Sequence, residues 1–223
     1  MLSQAIGDLL PSAVGVALSP VPIIAVILML ATPRARSTGT AFAVGWVAGL
    51  VVVSTVVLVL AGNADTSSTT SDSIDWLQVV LGAVFLVMAL RQWRSRPEPG
   101  EEPAMPTWMA AIDGFGALKS LGLGAALSAV NPKNLALTLA AAASIAQVGL
   151  SAGQSAIAVA VFVVIASVSV AGPVLFYLVA PRAATPRLAT IKEFMAIHDA
   201  VIMMVVLLVL GAKLIGNGIG VVG

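Results

Sequence analysis

The sequence predicts an all-α polytopic membrane protein. Six transmembrane helices form two inverted three-helix repeats, with helices one and four interrupted at proline motifs. Three observations carry that prediction. Of 223 residues, 59% are hydrophobic and only 9% are charged, whereas a soluble domain needs about 25% charged residues to solvate its surface. Several apolar runs exceed the roughly 18 residues needed to cross a hydrocarbon core of about 30 Å. Lys and Arg are confined almost entirely to alternate loops.

The first span runs from about Ile6 to Ala31 and ends at Thr32-Pro33-Arg34-Ala35-Arg36. The second covers Thr40 to Gly62 and is followed by a polar loop, Asn63 to Ser73. The third runs from Ile74 to Leu90 and ends at Arg91, Arg94 and Arg96. A Pro/Glu-rich linker follows, carrying Pro97, Glu98, Pro99, Glu101, Glu102, Pro103 and Pro106. The fourth span lies between Lys119 and Gln147, the fifth covers Gly153 to Ala180, and the sixth covers Ile197 to Gly216. The organisation is therefore a first repeat over 1–96, a linker and interfacial segment over 97–114, and a second repeat over 115–223. Trp93 and Trp108 read as interface anchors, and Asp113 as an ordinary interfacial carboxylate.

Loops one–two, three–four and five–six hold Arg34, Arg36, Arg91, Arg94, Arg96, Arg182, Arg187 and Lys192, while loops two–three and four–five hold no Lys or Arg. The positive-inside rule makes the basic loops cytoplasmic and places both termini outside. Met1 to Leu10 has no basic residue and carries Asp8, so the first apolar segment is expected to be retained rather than cleaved as a signal.

The halves echo each other. Ala17-Leu18-Ser19-Pro20-Val21-Pro22 opens one, and Ala126-Leu127-Ser128-Ala129-Val130-Asn131-Pro132 opens the other. Ile74-Asp75 and Ile197-His198-Asp199 begin the third spans. Three spans per repeat invert the second copy, an architecture of many secondary transporters whose sites lie at broken helices near the midplane. The midpoint of span one falls near Pro20, and that of span four at Lys133. Helix-interior prolines should free the carbonyls four residues back, here those of Val16, Leu18 and Ser128. In hydrocarbon such groups persist only where protein or a wet cavity satisfies them.

Lys133 is the sharpest residue. A lysine at a span centre costs at least about 2.5–3.5 kcal/mol to insert. It is either neutral, snorkelling to an interface, or facing an anionic ligand. Asn131 and Asn134 flank it and supply donors and acceptors. His198 and Asp199 fit either a proton-coupling pair or an interfacial cap at a helix start. Gly45 and Gly49 form a GxxxG, and Gly172 lies among small residues in span five; either face serves internal packing or a homodimer.

Much else is excluded. A net charge of +1 gives no basic stripe for nucleic acid, and the absence of Cys removes thiol chemistry and Cys-based metal sites. One His leaves no His-rich metal centre, and no phosphate loop or catalytic set is present. The chain is expected to be no enzyme and to need no cofactor or metal.

Pro106-Thr107-Trp108-Met109-Ala110-Ala111-Ile112-Asp113-Gly114 continues through Gly122-Leu123-Gly124 to Leu127-Ser128-Ala129-Val130-Asn131-Pro132-Lys133-Asn134-Leu135. With Leu18-Ser19-Pro20-Val21-Pro22-Ile23 it resembles the GAP family. These are the glycopeptidolipid- or sulfolipid-addressing proteins of actinobacteria, within the lysine-exporter transporter superfamily. The resemblance covers essentially the whole chain. It implies a plasma-membrane protein that helps export a cell-envelope lipid, or an anionic small solute, without ATP hydrolysis of its own. It carries a pathway role onto Ser19, Pro20, Pro22, Asn131, Pro132, Lys133 and Asn134; Ser128 joins them by position. Amino-acid exporters of the superfamily have glycine between the first-span prolines. This chain has Val21, which favours the lipid-addressing branch. The expected partners are the bilayer and an anionic lipid or small-molecule substrate, with a second copy and a larger envelope-lipid transporter as candidates. The alternatives are a non-transporting scaffold of a lipid synthesis or export complex, docking through the Pro/Glu-rich linker, and a small-solute exporter.

Overall fold

A computed structural model describes residues 1–63, 71–96 and 107–220, with side chains except at 61–63, 71–78 and 107–108. The Pro/Glu-rich linker from Pro97 to Pro106, most of the predicted second loop, and the Asp75 and Trp108 side chains lie outside the described residues. The described residues form helices joined by short turns and breaks and include no strand.

The predicted first span is two helices, α1 (Leu2–Ala17) and α2 (Pro20–Leu30), bent by 51° at the break. A tight turn follows, in which the Thr32 hydroxyl donates to the Met29 carbonyl at 2.8 Å. Helix α3 (Ala35–Asn63) begins ahead of the predicted Thr40 and takes Arg36 into its first turn. Helix α4 (Ser71–Arg94) ends in Arg91 and Arg94, and the Arg96 guanidinium stacks 3.8 Å from the Trp93 ring. A 3-10 helix over Thr107–Gly114 buries Met109 and Ile112 and packs against α2.

The predicted fourth span is again two helices, α5 (Ala117–Ala129) and α6 (Pro132–Gln147). Gly149 turns the chain with φ +65, a conformation open to glycine and strained for other residues. Helix α7 (Ala152–Val179) then starts with a capping box. The Ser151 hydroxyl accepts from the Gln154 N–H, and the Gln154 side chain accepts from the Ser151 N–H.

Helix α8 (Pro181–Gly218) corrects the sequence reading, because the basic segment holding Arg182, Arg187 and Lys192 is helical rather than a loop. Ala184 and Leu188 are buried while Arg182 and Arg187 stay exposed. This four-residue spacing makes the segment an amphipathic helix.

Helices stand at all six predicted positions, but among the described residues length and apolarity qualify three to cross a membrane: α3 over Ala35–Leu60, α7 and α8. The bent α1–α2 pair makes a fourth if it counts as one span. Val44, Val52, Val56 and Val59 on α3, with Val164, Val168 and Leu175 on α7, point outward. Contiguous apolar surface of this extent does not suit water, so these are membrane helices.

Two compact units form: Met1–Gly62 with Ala104–Ala196, and Asn63–Pro103 with Ile197–Gly223. This grouping by packing cuts across the two halves of the sequence. In the first unit, α1 packs against both α6 and α7, and α2 against α7. Helix α3 approaches α5 through glycines. A Cβ on Gly45 would strike the Leu121 carbonyl, one on Gly49 the Ser128 hydroxyl, and one on Gly124 the Phe42 carbonyl. The GxxxG therefore serves internal packing, while Gly172 has open space beside it. In the second unit, α4 and α8 cross at Gly82 and Gly211. A Cβ on either would come within 3 Å of the other's carbonyl.

Candidate functional site: a polar knot joining two helix breaks

Both breaks have the same local construction. Ser19 is extended, at φ −87 and ψ 106, and Pro20 follows as the first helical residue of α2. Asn131, at φ −59 and ψ 120, precedes Pro132 as the first residue of α6. Proline suits that position because its fixed φ is helical and its missing N–H has no partner to lose. The prolines thus start new helices rather than disrupt continuing ones. The expected freeing of the Val16 carbonyl does not occur, since it accepts from the Ser19 N–H at 3.2 Å.

Other carbonyls are satisfied by side chains. The Ser169 hydroxyl of α7 donates to the Ala17 carbonyl at 2.6 Å, and the Asn134 side-chain amide donates to the Leu127 carbonyl at 2.9 Å. Each break is therefore held by a polar side chain, which satisfies a backbone carbonyl that the break would otherwise leave unpaired.

The two breaks meet. The Lys133 Nζ donates to the Ser19 Oγ at 2.9 Å, and that Oγ donates to the Asn134 Oδ1 at 2.7 Å. Lys133 is 4% exposed, Ser19 4% and Asn134 0%. The Asn131 Oδ1 caps α6 by accepting from the Lys133 N–H at 3.1 Å, and the Thr138 hydroxyl donates to the Asn134 carbonyl at 2.8 Å. One hydroxyl on the first break thus joins a buried lysine amine and a buried amide on the second. Lys133 does not snorkel to an interface.

The remaining site residues distribute around this knot. Pro20 and Pro22 are buried in α2; Asn131 is half-buried and Pro132 exposed. Ser128 is buried, donates to the Ala125 carbonyl at 3.0 Å, and lies against Gly49. His198 and Asp199 belong to the second unit, where both are half-buried on α8. Sequence reading missed Ser169 and Thr138. The signal available for Ser169 was a Ser-Val-Ser interruption in the apolar run of α7. The Trp46 indole N–H and the Ser54 and Ser167 hydroxyls are buried in the first unit without a hydrogen-bond partner.

Two helix dipoles meet at the knot. The N-termini of α2 and α6 both lie there, each carrying roughly half a positive elementary charge from its dipole, and Lys133 is the second residue of α6. A cation is disfavoured at a helix N-terminus and an anion favoured. What this arrangement offers chemically is a set of hydrogen-bond donors at two helix N-termini, the kind of site that suits an anionic group.

A family model described as Sap, sulfolipid-1-addressing protein, matches residues 9–220, a stretch that includes both breaks and the knot. No curated protein and no solved structure matches the chain.

Proposed function

The chain belongs to the Sap, sulfolipid-1-addressing protein family, and on that premise we propose that it is an integral membrane export factor for an anionic cell-envelope lipid. It works without covalent chemistry, by alternating access at a midplane site between the two broken helices. Lys133 attracts the sulfate, phosphate or carboxylate of the substrate, and Ser19, Asn131 and Asn134 orient it. Pro20, Pro22 and Pro132 fix the half-helices whose N-termini face the anion. Ser128 holds α5 against α3.

The observation that carries this reading is the Ser19–Lys133–Asn134 knot. A buried lysine beside a helix N-terminus is unfavourable by itself, and an anionic ligand turns both sources of positive charge to use. The bonds across the knot are also the ones that alternating access would break and remake. Six spans as two inverted repeats, a place in the lysine-exporter superfamily, and outward termini in the plasma membrane complete the proposal. They rest on the sequence echo and on the basic residues of alternate loops. His198 and Asp199 are the proposed proton-coupling pair.

Surface-exposed anionic lipid, measured in cells carrying Lys133→Ala or Lys133→Arg at equal protein level, tests the proposal. Loss of about tenfold in Lys133→Ala, equivalent to about 1.4 kcal/mol, is expected, with only partial retention in Lys133→Arg. Full surface lipid with both variants would overturn the role of the lysine and leave a scaffold as the surviving function.

A further inference from the structure

A lateral groove of about 970 Å³ opens on the first unit between the later half of α3, the end of α6 and the start of α7. Val51, Leu58, Ile145, Ala156, Val159 and Ala160 contribute to its apolar wall, and none of its described lining residues is charged. We propose that this groove is an acyl-chain site for a lipid of the outer leaflet. The proposal rests on the membrane reading and deepens it, but does not depend on what Lys133 does.

Length identifies the occupant. The lining residues run from Val51 to Val59 on α3 and from Ala152 to Val164 on α7. At about 1.5 Å per helical residue those stretches measure about 12 Å and 18 Å. One leaflet of a hydrocarbon core of about 30 Å is about 15 Å deep. A groove one leaflet deep matches a lipid tail, whereas a spanning helix from a second copy would seek a face twice as long. Its volume lies at the upper end of the roughly 300–1,000 Å³ of small-molecule sites.

Position identifies the leaflet. One end of the groove is the turn at Gly149 and Leu150, in the loop that has no Lys or Arg and is therefore outside by the positive-inside rule. The other end approaches the polar knot. Val51 follows two residues after Gly49, which lies against the Ser128 hydroxyl in the last turn of α5. Asn131 and Lys133 come directly after that turn. The groove thus runs from the midplane break to the outer surface, along a wall whose described residues offer Thr55 and Ser155 as hydroxyls. This is the path an acyl chain takes when its headgroup is released outward.

The chain has no Cys, so Ala156→Cys can carry a single bimane label in the groove, with Leu175→Cys as a lipid-facing control on the same helix. The full chain in detergent micelles is titrated with phosphatidylglycerol brominated at the end of one acyl chain. Quenching at Ala156→Cys that saturates at one lipid per chain is expected, against a linear rise at Leu175→Cys. Ala160→Trp or Val164→Trp should remove the saturable part. A linear rise at both positions overturns the proposal. So does a second copy in the groove, seen as an Ala156→Cys disulfide dimer and a dimer by sedimentation that Ala160→Trp dissociates. Lys133→Ala should retain saturable quenching whatever becomes of its export, which separates failure here from failure of the midplane site.

Discussion

Replacing Ser19 by alanine removes one oxygen and two interhelical hydrogen bonds at once. The bond from the Lys133 Nζ, at 2.9 Å, has an ionisable donor; the bond to the Asn134 Oδ1, at 2.7 Å, is between neutral groups. Bonds to charged groups contribute about 1.5–3 kcal/mol and neutral ones about 0.5–1.5 kcal/mol. Double-mutant cycles between membrane helices average nearer 0.6 kcal/mol per bond. Together these figures bracket the loss in Ser19→Ala at about 1–4.5 kcal/mol. The upper part of the range applies because Lys133 and Asn134 are both buried and water cannot replace the missing hydroxyl. Reversible unfolding in micelles measures the loss. A cycle pairing Ser19→Ala with Asn134→Ala isolates the neutral bond, with a coupling of about 0.6–1.5 kcal/mol expected. Additivity within about 0.3 kcal/mol, the behaviour of independent sites, would refute contact between the two breaks.

Gly45→Ala should destabilise by about 1–3 kcal/mol, as overpacking does, because its Cβ meets the backbone carbonyl of Leu121 rather than a movable side chain. The same unfolding assay should find Gly172→Ala neutral or stabilising by up to about 1 kcal/mol, since nothing lies within 4 Å of the added carbon. Ser169→Ala should cost about 0.5–1.5 kcal/mol by exposing the Ala17 carbonyl, and Ser169→Thr should restore most of it. In intact cells an impermeant maleimide should label Gly153→Cys and spare Thr190→Cys. The reverse pattern would invert the topology.

The apolar runs and the two proline motifs were legible in sequence because hydropathy and missing N–H groups act locally. Their outcome was less so. A proline within an apolar run reads equally as a kink or as the first residue of a new helix, and the extended Ser19 and Asn131 ahead of it decide for the latter. The Ser19–Asn134 bond spans 115 residues, beyond any local pattern; only the echo between the halves hinted that the breaks were equivalent. The α3 glycines announced a close approach without naming α5 as the partner. The basic start of α8 was read as loop because charge marked it as non-spanning. Charge does not forbid a helix, however, and Ala184 and Leu188 supply its buried face. The Lys133 side chain could have pointed to an interface, to a cavity or to another helix, and packing of α1 against α6 decided which.

In the proposed function Lys133, at the junction of two broken helices, handles an anionic lipid. Transbilayer movement of a sulfated glycolipid in vesicles holding the purified chain tests it most directly, with wild type measured beside Lys133→Ala. Movement is expected with the wild-type chain and should slow about tenfold or more in the variant, a barrier increase of about 1.4 kcal/mol. Equal rates in the two, or no movement with either, would contradict it.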